Sequence, residues 1–163
     1  MSRILYPCLV LAGLLPAALP GQTTSLRPGI ASLHVGVGGH QGWIGAAAEV
    51  YVVPGRLSAI GGVGVLPVWG AQVAWGGAVR YYPLPAAVRH RPFVDVSWTL
   101  LRLTQDDAVS RPVKHWYGPG MMIGYSYLAH SGWTFTSGFG LARPDADGLL
   151  PLVHLALGWT WRR

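Results

Sequence analysis

Charge is scarce in this 163-residue chain. Asp, Glu, Lys and Arg together make up 11% of it while 51% is hydrophobic, against about 25% charged residues in ordinary soluble domains. A soluble domain of this length has too large a surface to cover with so few charges. Cysteine is almost absent as well. The one cysteine, Cys8, lies in an N-terminal stretch expected to be removed, which excludes disulfides, thiol catalysis and cysteine-ligated metal from the mature chain. Nor is there an apolar run fit for a helix. Leu57 to Val79 carries no charge and is long enough to cross a bilayer, but Gly61, Gly62, Gly64, Pro67, Gly70, Gly76 and Gly77 interrupt it. Each glycine costs a helix about 1 kcal/mol relative to alanine. Its large residues instead fall on alternate positions: Val63 and Val65, then Val73, Trp75 and Val79.

Met1 to Gln22 has the build of a secretory signal peptide, with Arg3 as a thin basic region, an apolar stretch from Ile4 to Leu15, and small residues at Ala17, Ala18 and Gly21. The apolar part is too short to span as a helix. Cleavage is expected between Ala18 and Gln22, too far beyond Cys8 for a lipid anchor there. The chain then divides into the signal (1–22), a short segment (23–28) and a single domain (29–163). Loss of Arg3 lowers the formal net charge from +6 to +5. The basic residues lie mostly at turns rather than on one stripe, so nucleic-acid binding is not expected.

What the chain does contain is a two-residue alternation that recurs from Gly29 to Trp161. In Trp133-Thr-Phe-Thr-Ser-Gly-Phe-Gly-Leu141 the odd positions are mainly aromatic or aliphatic, and the even ones are Thr or Gly. Successive side chains of a strand point to opposite faces. The pattern predicts eight strands, at about Ile30–Gly38, Trp43–Val53, Ser58–Leu66, Ala71–Tyr82, Phe93–Leu103, His115–Leu128, Trp133–Leu141 and Leu152–Trp161. Turns are expected at Gly38–Gly42, Pro54–Arg56 and Trp69–Ala71. Longer connections are expected at Pro83–Pro92, Thr104–Lys114 and Arg143–Gly148. An even number of strands of about 9–11 residues matches tilted membrane crossings.

Glu49 (the sole glutamate), Arg80 and Asp95 all share the parity of the small residues. The interior of an eight-stranded barrel is only just wide enough for packed side chains. It cannot hold Trp98, Trp159, Trp161, Phe135 and Tyr125 together, but it can hold Gly, Ala, Ser, Thr and a few paired ions. The apolar face is therefore expected outward, against lipid, with closure leaving no unpaired backbone in the membrane. A hairpin centred on Ala87–Val88 sets Arg80 opposite Asp95. A lone buried charge is costly, so a Glu49–Arg80–Asp95 network is expected to fill the lumen rather than line a pore. His34 and His154 fall on the lumen parity of strands that become neighbours on closure. They read as polar fillers, since the histidines show no metal-ligand spacing; neither metal nor cofactor is expected.

With its signal peptide, its alternating strands, the Arg80-Tyr-Tyr-Pro83 ending of the fourth strand and the terminal Leu155-Ala-Leu-Gly-Trp-Thr-Trp161, the chain resembles the small outer-membrane β-barrels of the OmpA-transmembrane-domain and OmpX type. The resemblance implies an all-β, eight-stranded antiparallel up-and-down barrel with both termini periplasmic, short periplasmic turns and longer external loops. It also implies an outer-membrane location in a diderm bacterium and lipid and lipopolysaccharide as surroundings. Trp161 would serve as the terminal aromatic read by the assembly machinery, although Arg162 and Arg163 follow it, a departure from the pattern. Arg102 and Arg143 carry the outward parity at the external ends of their strands and are candidates to meet lipopolysaccharide phosphates, whose oxygens suit arginine.

Some barrels of this size modify lipid A with a Ser/His/acid arrangement at the outer rim. Here His130-Ser131 is the one adjacent pair; it falls in an expected periplasmic turn and no triad assembles. The expected role is structural or surface-interacting, as a monomer without catalysis. The alternative readings are a soluble lipocalin-like carrier of a small hydrophobic ligand, which requires a polar exterior, and a rim-active lipid-modifying enzyme.

Overall fold

The computed structural model describes residues 29–66, 72–84, 89–103, 114–143 and 148–162. The expected signal peptide (1–22), segment 23–28, the Trp69–Ala71 turn and most of the connections after Leu103 and Arg143 lie outside the described residues.

Eight strands follow one another: β1 (Gly29–Gly38), β2 (Ile44–Val53), β3 (Leu57–Leu66), β4 (Gln72–Tyr81), β5 (His90–Leu103), β6 (Lys114–Leu128), β7 (Trp133–Ala142) and β8 (Leu150–Arg162). Each pairs antiparallel with its neighbours in sequence, and β8 closes on β1. Register partners can be followed once around the wall. The path runs from Tyr127 through Phe135, Leu157, Val35, Ala46, Val63, Trp75 and Leu100 and returns to β6 at Tyr117, ten residues from its start. A stagger of that size, combined with ordinary strand rise and spacing, tilts the strands by about 40° and gives a wall radius of about 8 Å. A ten-residue strand so tilted rises about 25 Å, the height of the apolar band of a membrane barrel.

The alternation sorts side chains between the two sides of this wall. Val35, Val52, Trp133, Phe139 and Val153 stand exposed on the outside, with Val52 64% exposed and Trp133 56%. Glu49, Arg80, Arg91 and Asp95 lie inside, each no more than 1% exposed. This inverts a soluble protein, whose charges face water.

The described strands differ from the sequence reading at places with a common cause. β5 begins at His90, inside the connection expected at Pro83–Pro92, and β8 begins at Leu150 and runs through Pro151. Proline reads as a strand stop, but near a strand's beginning it forfeits only one ladder donor. Tyr82 lies just past the end of β4, and its amide donates to the Arg56 carbonyl at 2.8 Å.

The larger difference is at Gly38–Gly42, expected as a plain turn. Gly39–Gln41 forms a 3₁₀ turn that buries His40 and Gln41 completely, so the connection folds into the barrel instead of capping it. Gly38, Gly39 and Gly42 all have positive φ, at 76°, 57° and 70°, a region that side-chain-bearing residues rarely adopt. Room for the turn comes from β3, where a Cβ on Gly62 would collide with the His40 carbonyl and one on Gly64 with the Gln41 carbonyl.

Gly62→Val should therefore expel the turn while leaving the wall closed. Hydrogen exchange of the Gly39–Gln41 amides should accelerate markedly, with the strand amides of β5 to β8 unchanged; unchanged protection of the turn would contradict this packing.

Candidate functional site: the polar lumen

Arg80 stands at the centre of the lumen. The β4–β5 register sets it opposite Asp95, and its Nε and Nη2 donate to Asp95 Oδ1 and Oδ2 at 2.8 and 2.9 Å. Glu49 approaches from β2, with its Oε2 3.8 Å from Arg80 Nη1. A two-pronged arginine–carboxylate pair is among the stronger protein hydrogen-bonding arrangements, and here the whole group is out of water. The two carboxylates are satisfied from every side. Ser58 Oγ and Tyr82 Oη donate to Glu49 Oε1 at 2.5 and 2.9 Å, and His34 Nε2 lies 3.2 Å from Oε2. His40 Nε2, delivered by the inward-folded turn, lies 2.9 Å from Asp95 Oδ2. The Arg80 guanidinium also sits 3.8 Å from the centre of the Phe93 ring, whose face attracts cations.

A second buried arginine, Arg91, escaped the sequence reading because it fell in the expected connection before Pro92. Its Nη2 donates to Tyr51 Oη at 2.8 Å, and its guanidinium lies 4.1 Å from the Tyr82 ring centre. Tyr51 stacks at 6.0 Å on Tyr82, which meets Phe93 edge-on at 6.1 Å. Met122 completes this cluster. The signal was present in the sequence, since Arg91, Phe93 and Asp95 share one parity once the strand is begun at His90.

Elsewhere the lumen is lined by hydroxyls. Thr160 Oγ1 lies 2.8 Å from Ser32 Oγ and 2.6 Å from Thr134 Oγ1. His154 Nε2 lies 3.1 Å from Thr136 Oγ1, and the His154 ring stands 5.7 Å from that of His40. His34 and His154 both face inward on adjacent strands but are not brought together: His34 is level with Gly158, and His154 with Gly38. Among the described residues, no group of three His, Cys, Asp or Glu side chains is placed to hold a metal.

The remaining sequence-predicted residues lie outside the lumen. Trp161 is exposed on β8 level with Ala31. Arg162 reaches back to donate to the carbonyls of His130 and Ala129. Arg143 is exposed just beyond β7, its amide donating to the Pro119 carbonyl at 2.9 Å. Arg102 is level with His115 in the β5–β6 ladder, and its side chain lies outside the described residues. Arg102 on β5 and Arg143 just past β7 are separated by β6. His130 and Ser131 are both exposed, in the turn between β6 and β7.

No protein-family model matches the chain, and no curated protein matches it. Among solved structures it is similar to the Yersinia pestis outer membrane protein Ail, determined in a phospholipid bilayer nanodisc. The sequence identity is 10% and the TM-score 0.42, over 82% of this chain and 99% of that one.

Removing one partner from a buried ion pair strands the other, at a cost of about 3–5 kcal/mol, whereas apolar replacement of both can be nearly neutral. Arg80→Met should lower the unfolding free energy by about 3–5 kcal/mol. It should cost more than the triple replacement of Arg80, Glu49 and Asp95 by Met, Gln and Asn. Urea unfolding from phospholipid vesicles, followed by tryptophan fluorescence, measures both; equal losses would mean that the three residues do not act as a unit.

Proposed function

We propose that the mature chain is a monomeric outer-membrane β-barrel of a diderm bacterium, with a structural or surface-interaction role and a lumen closed to ions. Its type is that of the small OmpA-transmembrane-domain and OmpX barrels. The observation that carries the reading is the inverted wall. Large apolar side chains such as Val52, Trp98, Ile123 and Phe139 are exposed all round the barrel, and the charged side chains of the strand interiors are buried inside it. In water that exterior would far exceed the apolar patch of a typical monomer. In a bilayer it is the surface that dissolves the protein, and the closed ladder leaves no strand edge unpaired. Trp133 and Trp159, edge-to-face at 5.7 Å, with Trp161 beside them, suit the belt where aromatic rings meet headgroups.

Closure of the lumen is supported by side chains buried at successive depths: Arg91 with Tyr82, Arg80 with Glu49 and Asp95, then His40 and Gln41. The soluble-carrier alternative would need a polar exterior and an apolar cavity. The rim-enzyme alternative is disfavoured because, with both termini periplasmic as the proposed type implies, the turn that carries His130 and Ser131 is at the periplasmic end, away from the outer rim. Arg102 and Arg143 are candidates to meet lipopolysaccharide phosphates, with a solvated rim as the alternative, and Trp161 is the candidate aromatic for recognition by the assembly machinery.

Two measurements test the proposal. Protein from an outer-membrane fraction should migrate faster on a detergent gel unheated than boiled, and a band in the soluble fraction that does not shift would overturn the membrane reading. In planar bilayers the wild type should give no large, stable channels; their appearance would overturn the closed lumen.

A further inference from the structure

At the end of the barrel where the strand domain begins and ends, three arginines are set beside a single stretch of β6 and its turn. Arg91 is level with Ser126. The Arg89 carbonyl accepts from the Leu128 amide at 2.9 Å. Arg162 donates to the Ala129 and His130 carbonyls and lies within electrostatic reach of both Arg89 and Arg91. The Nε of each arginine, and the Ser126 hydroxyl, is buried with no hydrogen-bond partner among the described residues. Each of the four is a donor, and unmet buried donors are uncommon in folded proteins.

Among the described residues no carboxylate is hydrogen-bonded or ion-paired to them. Glu49 and Asp95 are engaged with Arg80, His34, His40, Ser58 and Tyr82, and Arg91 has Tyr51 for its partner. The other acids of the chain are Asp106, Asp107, Asp145 and Asp147. They fall in the sequence between β5 and β6 and between β7 and β8, outside the described residues. Arg56, exposed in the turn between β2 and β3, adds a further positive charge at the arginine end.

From these unpartnered donors and this concentration of arginines we infer that the mouth formed by Arg89, Arg91, Arg162 and Ser126 is a binding site for a phosphate-class oxyanion. Such an anion accepts several charge-assisted hydrogen bonds at once and suits the planar arginine fork. The same chemistry has two sources. One is a soluble phosphate or phosphomonoester entering the mouth. The other is the headgroup of an acidic phospholipid in the leaflet bordering Trp133, Trp159 and Trp161.

The test uses the full mature chain, ¹⁵N-labelled, in maltoside micelles, which carry no phosphate. The arginine Nε–H resonances are followed in two arms: inorganic phosphate against chloride at matched ionic strength, and dihexanoyl phosphatidic acid against dihexanoyl phosphatidylcholine. Saturable shifts at Arg89, Arg91 and Arg162 are expected. A response to inorganic phosphate assigns a soluble oxyanion, and a response to phosphatidic acid alone assigns the headgroup; either supports the site. Arg91→Lys keeps the charge but loses the fork, and should raise the half-saturating concentration at least about tenfold. Arg89→Lys, nearer the rim, serves the same purpose if the first variant does not fold. Silence of all three resonances in both arms, an equal response to the controls, or unchanged affinity in a folded variant would overturn the assignment.

Discussion

The narrowness of the interior governs everything else in this protein. Eight strands staggered by ten residues enclose a cylinder whose backbone wall has a radius of about 8 Å. Once inward side chains are in place little space remains. The few large side chains that do enter, among them Arg80, Arg91, Tyr82, Phe93 and Met122, fill it, and the remaining large residues face outward, which makes the exterior apolar. The inward positions of β3 are small for a related reason: Gly62 and Gly64 leave space for the backbone of the inward-folded turn rather than for a side chain.

Electrostatics inside such a cylinder must be settled locally. Arg80 is placed between two carboxylates and faces both Asp95 oxygens and Glu49 Oε2; histidines share Asp95 Oδ2 and Glu49 Oε2 with it, and two hydroxyls donate to Glu49 Oε1. Two arginines and two carboxylates are the fully buried Arg, Lys, Asp and Glu residues among those described, so the deep interior is near neutral. The distribution is nevertheless uneven. Both carboxylates gather around Arg80, while Arg91 relies on the faces and hydroxyls of tyrosines. That imbalance leaves the arginine mouth with donors in excess.

Much of the fold could be read from the chain, and the parts that could not have identifiable causes. The strand count, the order of pairing and the side on which each alternate residue falls follow from the period of two, which any strand obeys wherever it lies. The Arg80–Asp95 register was legible because the hairpin is symmetric about Ala87–Val88. Arg91 was not, because Pro92 beside it imitates a strand boundary. His40 and Gln41 were hidden for the opposite reason: flanked by glycines, they look like an ordinary hairpin turn. The clue to their burial lay some twenty residues on, in the glycines of β3 that only become their neighbours after closure.

By itself the sequence determined a wall: alternating strands, an apolar face and a small polar face, with the charges on the polar one. These are properties of neighbours along the chain, and local stereochemistry is enough to state them. Only the tertiary structure decided what fills the wall. It folded the Gly39–Gln41 turn inward onto Asp95, surrounded Glu49 with donors from β1, β3 and β4, and gathered Arg89, Arg91 and Arg162 at one mouth. These meetings join residues far apart in the chain, and they depend on the stagger at which β8 closes on β1, a quantity that no single strand encodes.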